Sequence, residues 1–341
     1  MTELRWRLAD DDGGQGALFE QEVERHIGRG EFRGMEFLHV HARRVINEVP
    51  KASRMPFRWT INAYRGCSHR CNYCFARPTH EYLGMNTGDD FDRKIVVKIN
   101  AVERVRAELA PGRWAGAHVA MGTNTDPYQR CEGKYRLTQG IVGELSAAAN
   151  PFSILTKSTL ILRDLDALAE AARRTEVRAN FSIGTLDEEV WRLTEPGTPH
   201  PLRRVEAVAK LNEAGVPCGV LVAPILPGLS DAPEQLDAVV KACVDAGAVS
   251  ITPLLLHLRS GVREHYMDWL AGARPDLLER YAGLYPRAYA PARTQDDLAK
   301  MVRELVARHG GRSAGPRQTR SVKTQPAAEA PPAVSQLELG V

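Results

Sequence analysis

The chain lacks any long apolar run. No stretch of its 341 residues is apolar for the length of a membrane span, and the first twelve residues do not contain the apolar core of a signal peptide. We therefore expect a cytoplasmic protein with no membrane contact. Its six cysteines should then stay reduced and serve metal binding or catalysis rather than disulfides.

Strong net charge is also absent. The formal charge of +3 is small for this length, so it neither demands nor excludes a nucleic-acid partner. Apolar residues make up 43% of the chain and charged residues 26%, which is ordinary for a globular protein. These values leave the function to be read from local motifs.

Half of the cysteines stand in one short segment. Cys67, Cys71 and Cys74 are separated by three and then two residues. Thiolates are soft ligands, and three in so tight a turn converge on one metal site. Iron–sulfur clusters usually have four cysteine ligands, but the other three cysteines lie far away in the sequence. The triplet therefore predicts a cluster with one iron open to a substrate or cofactor.

Three alternatives to this interpretation stay open. The triplet could form a structural zinc site with His69, although zinc ligands usually occur as two separated pairs. Cys131 could supply a fourth ligand in a redox protein. The chain could also be a non-enzymatic nucleic-acid module that contains zinc or a cluster and binds through its basic termini.

Strand-like and helix-like segments alternate through the middle of the chain. Alternation of this kind implies parallel strands with crossover helices. About six such units predict an α/β fold, a partial (β/α)6 barrel rather than a full barrel of eight. The predicted strands cover residues 57–62, 117–121, 152–156, 177–183, 217–223 and 250–256, and the predicted helices 138–149, 160–174, 202–214 and 233–246.

The composition also suggests domain boundaries. Residues 1–55 read as a polar N-terminal extension with a short helix over 18–27, and residues 56–260 as the barrel. Residues 261–309 are predicted to be C-terminal helices. The tail at 310–341, rich in Arg, Ser, Gln, Ala and Pro, is predicted to be disordered.

Two helix starts are predicted from capping residues. Asn100 with Glu103 resembles an N-cap with its box partner. Ser230 or Asp231 is expected to cap the helix that begins at Pro233.

The cysteine spacing, with the aromatic Tyr73 just before the last cysteine, resembles the signature of the radical S-adenosylmethionine (SAM) enzymes. This resemblance implies a [4Fe–4S] cluster held by Cys67, Cys71 and Cys74, with SAM on the fourth iron. It implies that SAM is cleaved reductively and that the resulting 5′-deoxyadenosyl radical abstracts a hydrogen atom. A flavodoxin- or ferredoxin-type reductant is the implied electron donor.

Polar residues follow successive predicted strands, at the end where such barrels carry their active sites. Asn124 and Asp126 follow the second strand and could hold the amino group of SAM. Lys157 follows the third and is suited to its carboxylate. Ser182 lies in the fourth strand, and Arg204 lies near a helix start that favours anions.

Several of these segments resemble the branch of the superfamily that contains spore photoproduct lyase. The resemblance implies that Lys157 and Ser182 contact the cofactor, that Ala223 lies beside the adenine, and that Tyr73 and Arg204 belong to the same site. It rests on the segments Tyr64-Arg-Gly-Cys67, Cys74-Phe-Ala-Arg77, Thr156-Lys157, Phe181-Ser-Ile183, Glu195-Pro-Gly-Thr198 with Arg204, and Ala223-Pro-Ile225.

The substrate does not follow from this resemblance. The lyase uses a cysteine near its second strand as hydrogen donor, and residues 120–123 contain none. Cys131 could replace it only if the loop folds back. Lyase-like repair of a DNA photoproduct is therefore an alternative, with nucleic acid as substrate, beside radical chemistry on an unidentified substrate.

Overall fold

Eleven strands organise the described part of the chain. The structure is a computed structural model and describes residues 23–50, 53 and 55–313. The strands are β1 (Glu24–Ile27), β2 (Glu36–Val40), β3 (Ile46–Glu48), β4 (Trp59–Ile61), β5 (Tyr64–Arg65), β6 (Lys94–Lys98), β7 (Val119–Met121), β8 (Phe152–Thr156), β9 (Val177–Ser182), β10 (Cys218–Ile225) and β11 (Ile251–Leu255).

Eleven α-helices accompany these strands in the same residues. They are α1 (Asp89–Arg93), α2 (Ala101–Glu108), α3 (Glu132–Tyr135), α4 (Leu137–Ala147), α5 (Leu165–Arg174), α6 (Glu188–Thr194), α7 (Pro201–Glu213), α8 (Pro233–Asp245), α9 (Val262–Ala273), α10 (Leu278–Leu284) and α11 (Ala292–Arg308).

The larger sheet has the strand order β11-β10-β9-β8-β7-β4-β3. All pairs from β4 to β11 are parallel, and only β3 is antiparallel to its neighbour. Parallel strands are covered on both faces, which explains their apolar runs. The six parallel strands confirm the predicted partial (β/α)6 barrel.

Helices that follow these strands pack against the sheet and one another. α4 contacts α5, α7 contacts β9 and β10, and α8 contacts β10. α11 packs on α8 and β11. The core between sheet and helices is formed by buried aliphatic and aromatic side chains such as Phe152, Phe181 and Leu211.

A smaller sheet joins the N-terminal residues to the barrel. Its order is β1-β2-β6-β5, and β3 pairs with β4 of the larger sheet. The prediction of a helix over residues 18–27 is wrong where the structure describes them, because Glu24–Ile27 forms β1. Residues 18–22 lie outside the described residues. Pairing with β2 outweighed the local helix preference of a short segment.

Asn100 is the N-cap residue of α2, as predicted, whereas the prediction that Ser230 or Asp231 caps α8 is wrong. The Asn100 side chain makes no cap bond; it accepts from the Ala42 amide at 2.9 Å and donates to the Ala42 carbonyl at 3.1 Å. Ala232 precedes α8, while the Ser230 hydroxyl accepts from the Leu226 amide and Asp231 accepts from the Gly228 amide. These side chains bind the chain elsewhere because nearby loops offer partners that sequence spacing does not reveal.

The C-terminal helices were predicted over one continuous region. The structure contains α9, α10 and α11 there, and Tyr289 lies outside them with 41% of its surface exposed. The prediction of a disordered tail over 310–341 is wrong for residues 310–313, because the Arg312 carbonyl accepts from the Ile251 amide at 3.0 Å and Ser313 pairs with Ile251. Residues 314–341 lie outside the described part of the chain. Among the described helices, none combines the length and apolar character that crossing a bilayer requires. The predicted domain boundaries stay predictions.

Candidate active site

The cysteine loop follows β4 and β5 at the carboxyl edge of the parallel sheet. Cys67 and Cys71 are buried, and Cys74 is half-buried. Gln129 accepts a hydrogen bond from the Ser68 amide at 3.0 Å and donates to the Gly66 carbonyl at 3.0 Å. The loop after β7 is therefore hydrogen-bonded to the backbone of the cysteine loop.

Arg77 secures the other end of the loop. Its guanidinium is fully buried and donates to the Cys71 carbonyl at 3.1 and 3.0 Å. The same group forms an ion pair with Asp92 at 2.9 Å. A buried guanidinium with several acceptors fixes the backbone around Cys71.

The loop after α6 packs directly on the cysteine loop. The Gly197 amide donates to the His69 carbonyl at 3.0 Å, and the Asn72 amide donates to the Thr194 carbonyl at 3.1 Å. A Cβ on residue 197 would lie 2.3 Å from the Ser68 carbonyl oxygen. Only glycine permits this approach without displacement of one loop.

Glu195 is the centre of a buried charged cluster in that loop. Its carboxylate lies 3.2 Å from the Lys157 ammonium and 2.5 Å from the Arg204 guanidinium. Tyr73 donates its hydroxyl hydrogen to the same carboxylate. Lys157 also lies over the Tyr73 ring, 5.5 Å from its centroid. Residues far apart in sequence thus meet at one carboxylate.

The protonation of Glu195 follows from these partners. Burial by itself raises the pKa of the carboxyl, but Arg204 and Lys157 outweigh it and lower the pKa to about 2. Burial and the adjacent Glu195 raise the pKa of Tyr73 well above its ordinary value. At neutral pH Glu195 is therefore a carboxylate and Tyr73 a neutral phenol.

Lys157 connects this cluster to two neighbouring strand ends. Its ammonium donates to the Ser182 hydroxyl at 2.5 Å, and that hydroxyl donates to the Ala223 carbonyl at 2.6 Å. Arg204 reaches the same strand end by donating to the Ser182 carbonyl at 3.1 Å. The cation is thus held at the carboxyl ends of β8, β9 and β10.

Asp126 lies on the loop after β7 and binds three parts of the chain. It accepts from the Thr156 hydroxyl and the Lys157 amide, each at 2.7 Å. His69 Nδ1 lies 3.3 Å from the carboxylate. Asp126 and the surrounding loops leave His69 only 3% exposed.

Five of the predicted cofactor residues meet around the Lys157–Glu195 pair: Tyr73, Lys157, Ser182, Arg204 and Ala223. Asp126 adjoins this group through the Lys157 amide. Asn124 is exposed and lies outside this group; its backbone amide donates to the Asn62 side chain at 3.1 Å. Their roles toward a cofactor stay predictions.

Sequence reasoning missed Glu195 as a site residue. The signal was present, because an acidic residue opens the Glu195-Pro-Gly-Thr198 segment that carried part of the resemblance. Its partners Tyr73 and Arg204 lie on the cysteine loop and on α7. Their convergence requires the three-dimensional arrangement of these loops.

The donor set of the loop fits an iron–sulfur cluster. In the described part of the chain, the three cysteine sulfurs do not all lie within 4.8 Å of one another. A tetrahedral zinc ion with bonds of about 2.3 Å needs its sulfurs about 3.8 Å apart. The cysteines as they stand therefore do not match a single zinc ion, and three thiolates are the soft donors that iron–sulfur clusters take.

Burial raises the pKa of all three thiols, most strongly for Cys67 and Cys71, and nearby carboxylates add to the shift at these two. Burial also raises the pKa of Cys131. Cys131 lies in the hydrophobic core before α3, where the adjacent Glu132 further raises its pKa. It is fully buried.

Curated relatives match most of the chain. Uncharacterized proteins of Mycobacterium tuberculosis and Mycobacterium bovis are 45% identical over 300 residues, covering 88% of this chain and 88% of each relative. An uncharacterized protein of Methanocaldococcus jannaschii is 27% identical over 199 residues, covering 58% of this chain and 70% of the relative.

Solved structures share the fold. Spore photoproduct lyase complexed with dinucleoside spore photoproduct has a TM-score of 0.58 at 18% identity, covering 80% of this chain and 79% of that one. SuiB of Streptococcus suis, bound to precursor peptide SuiA, has a TM-score of 0.51 at 14% identity, covering 75% and 48%. The sequence profile of the Radical SAM superfamily matches residues 61–240, more than half of the chain. The chain that carries this cysteine loop on its partial barrel belongs to the radical SAM superfamily.

Proposed function

We propose that this protein is a radical SAM enzyme that binds a [4Fe–4S] cluster through Cys67, Cys71 and Cys74. The observation that carries the proposal is the buried cysteine loop packed against the Glu195 cluster at the carboxyl edge of the parallel sheet. A cluster with SAM on its open iron supplies reductive cleavage of SAM and abstraction of hydrogen from a substrate. That substrate is unidentified.

The charges beside the loop support a role in binding SAM. Lys157 and Arg204 both pair with the one carboxylate of Glu195, so either cation could take a second carboxylate as a partner. The side chain of Lys157 is 14% exposed, whereas those of Glu195 and Arg204 are 5% and 1% exposed. Lys157 is therefore the cation that we assign to the SAM carboxylate, with Arg204 and Glu195 orienting it.

The neighbouring groups have complementary roles in this proposal. Ser182 fixes the Lys157 ammonium, and the Ala223 carbonyl accepts from Ser182. Asp126 fixes the Lys157 backbone, and Asn124, an exposed residue, offers its side-chain carbonyl oxygen as an acceptor for the cofactor's amino group. Tyr73 keeps the Glu195 carboxylate hydrogen-bonded on the side of the cysteine loop.

Anaerobic reconstitution tests the reaction class. The reconstituted protein should bind about four irons and release 5′-deoxyadenosine from SAM under a strong reductant. A Cys71→Ala variant should lose both the cluster absorbance and the product. A wild-type protein that carries the cluster and forms no 5′-deoxyadenosine would refute the enzymatic proposal.

A second experiment tests the role of Lys157. Lys157→Met should weaken SAM binding about 10- to 100-fold, as expected for loss of one charged hydrogen bond of about 1.5–3 kcal/mol, with iron content unchanged. The matched control is Lys210→Met, on an exposed position of α7. SAM affinity is measured by equilibrium dialysis. Equal affinities of the two variants for SAM would show that Lys157 does not bind it.

Repair of a DNA photoproduct is a second candidate. The fold shared with spore photoproduct lyase over 80% of the chain supports it, while the full burial of Cys131 argues against a substrate contact by that thiol. Turnover of irradiated oligonucleotides by the reconstituted protein would favour repair. Cofactor cleavage without such turnover would favour another substrate.

The electron donor and location are part of the same proposal. A flavodoxin- or ferredoxin-type protein would supply the electron, and the protein would act in the cytoplasm. Reduction of the cluster by a purified flavodoxin, followed by electron paramagnetic resonance, tests the first point.

A further inference from the structure

Three potential metal ligands lie on one face of the β1–β2 pair. Glu24 is directly opposite His39 in the antiparallel register. His26 is two residues from Glu24, and residues two apart on a strand point to the same face. Side chains opposite each other across an antiparallel pair also share a face. The register therefore brings one carboxylate and two imidazoles together.

Their geometry is close to that of a coordination site. One ligand atom from each of the three residues lies within 4.8 Å of the others, and they are the one such group among the described residues. His26 Nε2 and Glu24 Oε2 are 3.4 Å apart. Bonds of about 2.0–2.1 Å in a tetrahedral site place neighbouring ligand atoms about 3.3–3.4 Å apart.

Tyr135 orients one of these histidines. Its hydroxyl oxygen lies 2.7 Å from His39 Nε2. A neutral imidazole that donates through Nε2 keeps the lone pair of Nδ1 free for a metal ion. Metal-binding histidines usually have their other nitrogen hydrogen-bonded in this way. The rings of His26 and His39 are stacked, 3.9 Å between centroids, so both lie on the same side of the strand pair, and one ring must turn for both nitrogens to bind the same ion.

We propose that Glu24, His26 and His39 bind a divalent transition-metal ion of the zinc type. Two imidazoles and a carboxylate suit zinc and its neighbours better than magnesium or calcium, which prefer oxygen ligands. Three protein ligands leave a position for water. The site is separate in its ligands from the cysteine loop, and nothing in the proposed radical chemistry uses these residues.

Bound metal would link the edge strand of the smaller sheet to its neighbour. β1 pairs only with β2 in the described sheet order, and all four of its residues are exposed. Through His39 and Tyr135 the ion would also be connected to α3. The expected consequence is a more stable β1–β2 pair when the metal is present.

Calorimetric titration of the cluster-loaded protein with Zn²⁺ tests the proposal, because the cluster then occupies the cysteine loop. Wild-type protein should bind one Zn²⁺ per chain. His26→Gln and His39→Gln should each weaken that binding at least tenfold. The matched control is His41→Gln, an exposed histidine two residues beyond His39, which should bind zinc like the wild type.

X-ray absorption at the zinc edge provides a second measurement. The proposal predicts nitrogen and oxygen neighbours at about 2.0–2.1 Å. Sulfur neighbours at about 2.3 Å would put the metal on cysteines and overturn it. Unchanged affinity in both histidine variants, or no binding to the wild type, would also overturn it. Circular dichroism and cluster absorbance of each variant check that the fold is retained.

Discussion

Replacement of Glu195 by glutamine is the sharpest test of the buried charged cluster. Glutamine keeps the shape of the side chain but removes the charge that Lys157 and Arg204 share. Both cations would remain buried without their carboxylate, and breaking a buried ion pair in this way is strongly destabilising. We therefore expect Glu195→Gln to lower the free energy of unfolding substantially.

The size of this stability loss follows from the pKa of Glu195. The pKa of Glu195 is about 2, against an ordinary value of 4.5. At about 1.4 kcal/mol for each pKa unit, the charged carboxylate contributes about 3 kcal/mol to stability. Because the pKa is lowered by folding, this stabilisation is fully present above pH 4.5 and is lost as pH falls toward 2.

Urea denaturation under anaerobic conditions, followed by tryptophan fluorescence, measures the effect. Glu195→Gln should lose about 3 kcal/mol at pH 7.5, and the gap to the wild type should narrow below pH 4.5. The matched control is Glu206→Gln on the exposed side of α7, which should change stability by less than about 0.5 kcal/mol.

A double-mutant cycle separates the ion pair from other effects. If Lys157 and Glu195 interact as described, Glu195→Gln should cost less in a Lys157→Met background than in the wild type. Equal losses for Glu195→Gln and Glu206→Gln, or a gap that does not depend on pH below 4.5, would refute the reasoning.

Three further predictions concern Lys98, Gly197 and Cys131. Folding lowers the pKa of Lys98 to about 7, mainly through burial, so the unfolded chain binds more protons above that pH and stability should rise with pH. Relative to Lys98→Met, we expect the wild type to gain about 2 kcal/mol between pH 7.5 and 9 in urea denaturation, and a constant difference would contradict the shift. Gly197→Ala should displace the cysteine loop, destabilise the protein by about 1–3 kcal/mol and cause loss of iron. The control Gly133→Ala should do neither, because a Cβ at residue 133 meets no atom within 4 Å. Equal iron content in the two variants would contradict the close packing at Gly197. Cys131→Ala should keep the full iron content on reconstitution, and loss of the cluster would favour Cys131 as its fourth ligand.

The alternation of strands and helices was predictable because it depends on local patterns. Apolar runs that are buried on both faces mark parallel strands, and β8 was predicted at its exact bounds, Phe152–Thr156. The cysteine triplet was recognisable in the sequence for the same reason, since all three cysteines lie within eight residues. The missing cap bond of the Asn100 side chain could not be predicted from the sequence, because its competing partner Ala42 is 58 residues away.

Composition and order of the residues thus determined the barrel, its cysteine loop and the strand-end polar residues. Only the tertiary structure decided that Glu195 joins Tyr73, Lys157 and Arg204, and that Glu24 and His26 face His39. Tyr73 and Glu195 are 122 residues apart, and their contact depends on which loops pack together at the sheet edge. The physical reason is that a buried charge must be paired, and its partners come from segments that lie far apart in the sequence and meet only in the folded chain.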